Sequence, residues 1–245
     1  MNETDLIMRQ ALAAHLDATP FGLHLVSRIN VLTYIRFADE IKSKMSSGKI
    51  LDWGCGFGQM SFLLQQRHLQ VSSYDIADHA YTEPSTVFPS VSILHGTDPV
   101  ALPFPDESFD AVLSCGVLEH VPQENESLKE IHRVLRPGGR FFIYNLPQQG
   151  SYKEFILEKI HVGYTHERKY TVASTTALLN QFHFRVVAAR RTSMLPHNLT
   201  PIQRMRGIIN RFARPVLWAD QLLSAIPILN LTAEAIEILA VKDSR

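Results

Sequence analysis

Residues 50–58 read Ile50-Leu51-Asp52-Trp53-Gly54-Cys55-Gly56-Phe57-Gly58, and the apolar helical pattern Met60, Phe62, Leu63, Leu64 follows at once. A short buried strand that runs into glycines on alternate residues and then into a helix brings backbone N–H groups and a helix N-terminus against a ligand. Glycine loses extra backbone entropy on folding, so three of them in one turn need a reason. The plain alternative is a strand-to-helix turn that binds nothing. The stretch points to an α/β fold whose first turn meets a nucleotide-like molecule.

The spacing narrows the ligand. Dinucleotide-binding turns place their third glycine five residues after the first. That position here is Gln59, whereas Gly58 comes four after Gly54, and Asp52 stands two before it. An Asp-x-Gly-x-Gly-x-Gly loop closing a strand resembles motif I of the class I S-adenosylmethionine (SAM) methyltransferases. The resemblance implies that Gly54, Gly56 and Gly58 admit the amino-acid end of SAM and that Asp52 lies near its ammonium or the surrounding water.

At 245 residues the chain suits one α/β domain with additions. Its 24 basic residues match 24 acidic ones and 45% of it is apolar, so bulk charge makes no claim on nucleic acid and a small-molecule partner is expected. The N-terminus lacks the basic and apolar regions of a secretion signal. A cytoplasmic protein is therefore expected, with Cys55 and Cys115 as free thiols. No apolar run reaches the length of a membrane span.

Helical patterns over 5–18 and 23–46 precede the first strand and are expected to form a lid, residues 1–46, across the sheet's carboxyl edge or on one face, with plain cover of apolar surface as the alternative and 47–245 as the main domain. Lys49 to Trp53 is the first strand and 58–67 the first helix of that domain. A second strand, Gln70 to Tyr74, ends at Asp75, where a carboxylate can accept hydrogen bonds from both ribose hydroxyls. A redox dinucleotide would also use an acid there, so Asp75 fits the fold without choosing the cofactor. Val91 to Leu94 is a third strand and Ala111 to Ser114 a fourth. Leu102-Pro103-Phe104 and the fourth strand resemble the same family, which implies that Asp98, four before Leu102, contacts the adenine amino group; a turn or cap role is the alternative.

The fourth strand leads into Cys115-Gly116-Val117-Leu118-Glu119-His120-Val121. Open α/β sheets bind ligands at the carboxyl ends of their strands, so Ser114, Cys115 and Gly116 are expected along the methionine side of SAM, with Glu119 and His120 facing the pocket. The Leu-Glu-His-Val resemblance implies that His120 takes a proton from the acceptor. Leu128, Ile131, Val134 and Leu135 mark a helix that Arg136-Pro137-Gly138-Gly139 stops before a fifth strand, Arg140 to Asn145. The resemblance covers about residues 48–147.

Two helices are expected within 148–182, joined by a stretch whose Tyr164 and His166 are acceptor-binding candidates; His166 is also a second candidate base. A metal role for His161 and His166 is not expected, because a spacing of five suits no helical pair and no acidic cluster lies beside them in sequence. His183 to Ala189 and Ala235 to Val241 complete a seven-stranded set. Between them, about 193–228, lies a helical insertion. Ile202, Met205, Ile208, Ile209 and Phe212 share one helical side, with Arg204, Arg206, Arg211 and Arg214 on the other, and Pro215 opens a second apolar segment to Ile226. Helices over 201–226 could rest on an anionic membrane, cap the pocket, or join two copies as a homodimer.

The expected fold is a doubly wound, Rossmann-like α/β domain with a seven-stranded mixed sheet and an antiparallel last strand. The expected reaction is methyl transfer from SAM to a small-molecule acceptor by in-line displacement, O-methylation favoured over N or C, with no metal required. Three alternatives stay open: a dinucleotide oxidoreductase, a non-catalytic SAM-binding protein, and a membrane-associated enzyme acting on a quinone or lipid-linked precursor.

Overall fold

A computed structural model describes residues 2–18, 22–76, 87–161, 165–195 and 206–244. Two helices come first, α1 (Glu3–Ala13) and α2 (Arg28–Lys44), joined through two short 3-10 turns. An α/β alternation follows: β1 (Lys49–Trp53), α3 (Gln59–Gln66), β2 (Gln70–Ile76), β3 (Ile93–Gly96), β4 (Phe109–Cys115), α4 (Glu124–Val134) and β5 (Leu135–Pro147). The chain ends with α5 (Tyr152–Ile160), α6 (Val172–Gln181), β6 (Phe184–Thr192), α7 (Arg206–Arg211), α8 (Ala213–Ser224) and β7 (Ala235–Lys242).

The strands form one sheet in the order β3-β2-β1-β4-β5-β7-β6. β1 pairs in parallel with β2 and β4, and β7 runs antiparallel to both β5 and β6. The order reverses beside β1, which opens a crevice above the carboxyl ends of β1 and β4.

Alternate strand residues feed two cores, as a pleat with both faces covered requires. Ile50, Ala111, Leu113 and Phe142 pack with α2 and α3 on one face, whereas Leu51, Val112, Phe141 and Ile143 pack with α4 and α6 on the other. The helices α1 and α2 supply Ile7, Ala11, Val31, Phe37 and Ile41 to the first core, so the expected lid is largely a covering layer of the sheet. Phe37 stacks on Tyr144 with ring centroids 4.1 Å apart.

Several element boundaries differ from the sequence reading, and at three of them the reason is local. β3 begins at Ile93 and extends through His95 and Gly96, because pairing with Asp75 and Ile76 decides its register. β5 begins at Leu135: residues 136–139 bulge out between the Phe109–Leu135 and Ala111–Arg140 pairs, with Gly138 at φ 74. Pro215 lies inside the first turn of α8, where its missing N–H is no loss, and the helical break falls at Phe212. The first part of the expected arginine-bearing helix, through residue 205, lies outside the described residues.

Glu237 fixes α2 to the antiparallel half of the sheet. Its carboxylate, buried on β7, accepts from Arg36 Nη1 at 3.0 Å, Arg190 Nε at 2.6 Å and Thr192 Oγ1 at 3.0 Å. These partners hold it ionised below the usual glutamate range although burial opposes this most strongly. Glu237→Ala is expected to destabilise the protein by about 2–3 kcal/mol in a denaturant melt, the scale of a charged hydrogen-bond set partly open to solvent. Because the folded pKa is depressed, the wild-type contribution is complete above the ordinary value near 4.5 and fades as pH falls through the folded one; the variant should lack that acid-side slope.

Candidate active site

The turn after β1 is held by main chain. Gly54 and Cys55 N–H groups both donate to the Tyr74 carbonyl, at 2.9 and 3.1 Å, and Gly56 N–H donates to Asp75 Oδ2 at 2.7 Å. Gly54, Gly56 and Gly58 all have positive φ, 68°, 52° and 77°, a region that L side chains rarely adopt. A Cβ on Gly54 would meet Val117 at 2.6 Å, whereas one on Gly56 would meet nothing within 4 Å. Gly54 is therefore shaped by packing, and Gly56 opens onto space.

Asp52 lies beneath the loop, only 2% exposed. Its Oδ2 accepts from Ser61 Oγ at 2.6 Å, and Ser73 Oγ donates to Ser61 Oγ at 2.7 Å. Burial pushes its carboxyl up to about 6 despite these bonds. Asp75 also accepts from the Ile76 N–H at 2.8 Å, so its carboxylate bridges the two strand ends. Asp98 is exposed and its Oδ1 accepts from Val100 and Ala101 N–H groups at 2.8 Å, which is the turn role anticipated as its alternative. The following Leu102-Pro103-Phe104 loop is pinned by Arg133, which donates to the Leu102 and Phe104 carbonyls.

Ser114, Cys115 and Gly116 end β4. Ser114 Oγ is buried and has no hydrogen-bond partner among the described residues. Burial raises the Cys115 thiol well above its usual range and raises Cys55 as well, so both thiols stay neutral; no disulfide joins them. Gly116, at φ 70, opens a cleft of about 280 Å³.

Glu119, His120 and His166 line that cleft together. Arg168 explains how residues so far apart in sequence meet: its Nη1 donates to the Leu118 and Val121 carbonyls, at 3.2 and 2.9 Å, tying the 165–170 segment to the turn after β4. The Gln149–Tyr170 and Tyr170–Pro147 backbone bonds anchor the same segment to the end of β5. The imidazole centroids of His120 and His166 are 5.6 Å apart. His166 Nδ1 lies 2.9 Å from Glu154 Oε1, and its backbone N–H donates to Oε2 of the same carboxylate at 3.0 Å. No acidic cluster accompanies His161 and His166 in sequence, yet the fold brings two distant carboxylates, Glu119 and Glu154, beside His166. Tyr164 lies outside the described residues.

Burial, the neighbouring His166 and Arg168 lower the His120 pKa below its usual value, which favours the neutral ring at pH 7. Burial pushes Glu119 up to about 7. The cleft also takes Asn30 and Tyr34 from α2, Asn145 from β5, Lys153 and Glu154 from α5, and Glu234 before β7. None carries a local signal; only the fold brings them together. Asn145 and Ser193, both on the cleft wall, hold positive φ values of 57° and 67°, a strained conformation that costs about 1–3 kcal/mol where a side chain must accept it.

The loop yields a paired expectation. Gly56→Ala should lower thermal stability by the left-handed cost alone, about 1–2 kcal/mol, whereas Gly54→Ala should lose more, adding the Val117 clash to the same cost. Both should weaken SAM binding by calorimetry. Gly56→Ala binding SAM as well as wild type would separate this turn from the ligand.

Residues 51–143 match the family described as methyltransferase domain. A protein of Mycolicibacterium smegmatis named a probable SAM-dependent methyltransferase is 30% identical over 137 residues, 56% of this chain and 52% of that one. The O-methyltransferase rstn1 of Aspergillus nomiae is 29% identical over 163 residues, 62% of this chain and 72% of that one. The chain spans about half the length of the curated relatives it matches. A SAM-dependent methyltransferase structure from Thermotoga maritima has the same fold, with a TM-score of 0.61 at 16% identity over 98% of this chain and 99% of that one. The glycine spacing that set Gln59 against a dinucleotide turn, the strand order and the matched span point the same way: over residues 51–143 the chain is similar to methyltransferase domains, on a sheet with the strand order β3-β2-β1-β4-β5-β7-β6.

Proposed function

We propose that the protein transfers a methyl group from SAM to a hydroxyl of a small-molecule acceptor held in the cleft beside Gly116. One observation carries this reading: the cleft that begins at the carboxyl end of β4 is the one that Glu119, His120 and His166 line. Oxygen is preferred over nitrogen or carbon because a neutral His120 at the cleft can take a hydroxyl proton, and the Aspergillus relative is named an O-methyltransferase. SAM would lie across the carboxyl ends of β1, β2 and β4. Gly54, Gly56, Gly58 and Ser114 to Gly116 would contact its methionine part, Asp75 its ribose and Asp98 its adenine. Asp52 would act from below the loop.

SAM brings both electrophile and leaving group, so the protein's work is alignment and exclusion of water. The acceptor oxygen forms its bond to the methyl carbon as the carbon–sulfur bond breaks, releasing S-adenosylhomocysteine. His120, neutral and about half exposed at the cleft, accepts the hydroxyl proton. Glu154 fixes the orientation of His166 opposite it. Glu119 and the wall residues contact the acceptor.

A second feature favours work at a lipid surface. Trp218, Leu222 and Ile226 fall on one stripe of α8 and its extension at 66%, 51% and 48% exposure, with Phe212 and Ile228 beside them in sequence and Arg211 and Arg214 exposed nearby. An apolar stripe flanked by arginines suits an anionic interface that carries a lipid-soluble acceptor. Among the described residues no helix is long and apolar enough to cross a membrane.

His120→Ala is expected to keep SAM affinity while lowering turnover roughly a hundredfold, the low end of what a positioned base supplies. The assay is S-adenosylhomocysteine release with a panel of hydroxylated acceptors. SAM binding without product from any acceptor would favour a non-catalytic role. In flotation with phosphatidylserine vesicles, wild type should float and Trp218→Ala should not; sedimentation as a dimer with no flotation would assign the stripe to a second copy.

A further inference from the structure

We propose that Glu119, His120 and His166 bind one divalent cation of the zinc class, which holds the acceptor oxygen at an open coordination position. One ligand atom from each residue lies within 4.8 Å of the other two. Two imidazole nitrogens and a carboxylate oxygen form a donor set that zinc takes in catalytic sites, where a fourth position is left to water or substrate. Related first-row ions use the same set. Donors about 2.0–2.2 Å from such an ion sit about 3–3.5 Å from one another. His120 Nε2 is already 3.7 Å from Glu119 Oε1, so small side-chain rotations close the shell.

A second observation points independently to a ligand. The Glu119 side chain is 3% exposed, and its Oε2 has no hydrogen-bond partner among the described residues. A buried carboxylate oxygen without a donor is costly, and a cation supplies what the protein lacks there. A third concerns His166. Contact of its Nδ1 with Glu154 Oε1 at 2.9 Å fixes the tautomer that donates from Nδ1 and presents the Nε2 lone pair, the arrangement by which a carboxylate orients a metal-bound histidine. Glu154 is a positioning residue in this scheme, itself tied to the His166 N–H and to Lys169.

Of the positive charges around the cleft, Arg168 is directed to the Leu118 and Val121 carbonyls and to Glu124, Lys153 to Glu234, and Lys169 to Glu154 and Glu158. Its bonds preform the site by holding both ligand-bearing stretches together. The Gly116 cleft gives the open position access to the acceptor.

What the ion does rests on the methyl-transfer reading; its binding does not. A hydroxyl bound to the ion gives up its proton more readily. In the loaded protein His120 is a ligand, so the ion replaces it as the activating group and the proton leaves to water at the cleft mouth.

The test uses full-length protein stripped with a chelator, dialysed and titrated with zinc chloride by calorimetry, with cobalt chloride followed by absorption. One equivalent should bind, and the cobalt spectrum should lack the thiolate band that Cys55 or Cys115 would give. Glu119→Gln and His166→Gln should each weaken binding by at least about a hundredfold, and Glu154→Gln by about tenfold, as loss of an orienting partner does. Unchanged melting temperature and SAM affinity would show these conservative variants folded. No stoichiometric binding, binding that survives Glu119→Gln and His166→Gln, or a thiolate band would overturn the site. Zinc binding in a protein that transfers no methyl group would leave the site standing and sink the methyl-transfer reading. Methyl transfer equally fast in stripped and loaded protein would overturn the ion's activating role.

Discussion

Three main-chain N–H groups, those of Gly54, Cys55 and Gly56, are drawn onto the carboxyl end of β2. The Tyr74 carbonyl takes two and the Asp75 carboxylate the third. This closure turns the chain back after β1 with left-handed backbone that side chains resist, and it sets the floor of the crevice. Asp75 is thereby committed to structure, bonded to the Gly56 and Ile76 N–H groups at the strand ends. Asp52, buried and bonded to Ser61, stiffens the same turn from beneath.

The second half of the sheet supplies the opposite wall. β7 enters between β5 and β6 and runs against both, and its register with β5 shifts between Ile143 and Leu146. That irregularity falls where Asn145 adopts positive φ and faces the cleft. Ser193, just past β6, does the same. Backbone in sparsely populated regions is retained where its surroundings over-determine it, and both residues sit on the wall of the cleft. Glu237 contributes at longer range: by tying Arg36 of α2 to Arg190 of β6, it places Asn30 and Tyr34 over the same opening.

Between these walls the polar groups occupy contrasting environments. Burial raises the Glu154 pKa, but its bonds to His166 and the nearby Lys169 outweigh this and lower it; Glu119 is buried with one unbonded oxygen and is raised to about 7. The two carboxylates of one cleft thus stand in opposite environments, Glu154 bonded to His166 and Glu119 buried with an oxygen that no described group meets. The Arg168 contacts with the Leu118 and Val121 carbonyls make the arrangement possible by bringing His166 to His120.

The sequence alone determined the parts that depend on local chemistry. The glycine turn, the strand-end acid Asp75, the order of alternating strands and helices and the placement of Glu119 and His120 after the fourth strand follow from period, turn residues and motif spacing. Boundaries failed where pairing decides them, as at Ile93 and Leu135, because register belongs to two strands at once. The Asp98 hydrogen bonds went to the turn because the nearest N–H groups were those of its own loop. Only tertiary structure decided that His166 belongs with Glu119 and Glu154. Their proximity is carried by Arg168 and the Tyr170 backbone bonds, and such long-range hydrogen bonds leave no periodicity or spacing in the chain from which they could be read.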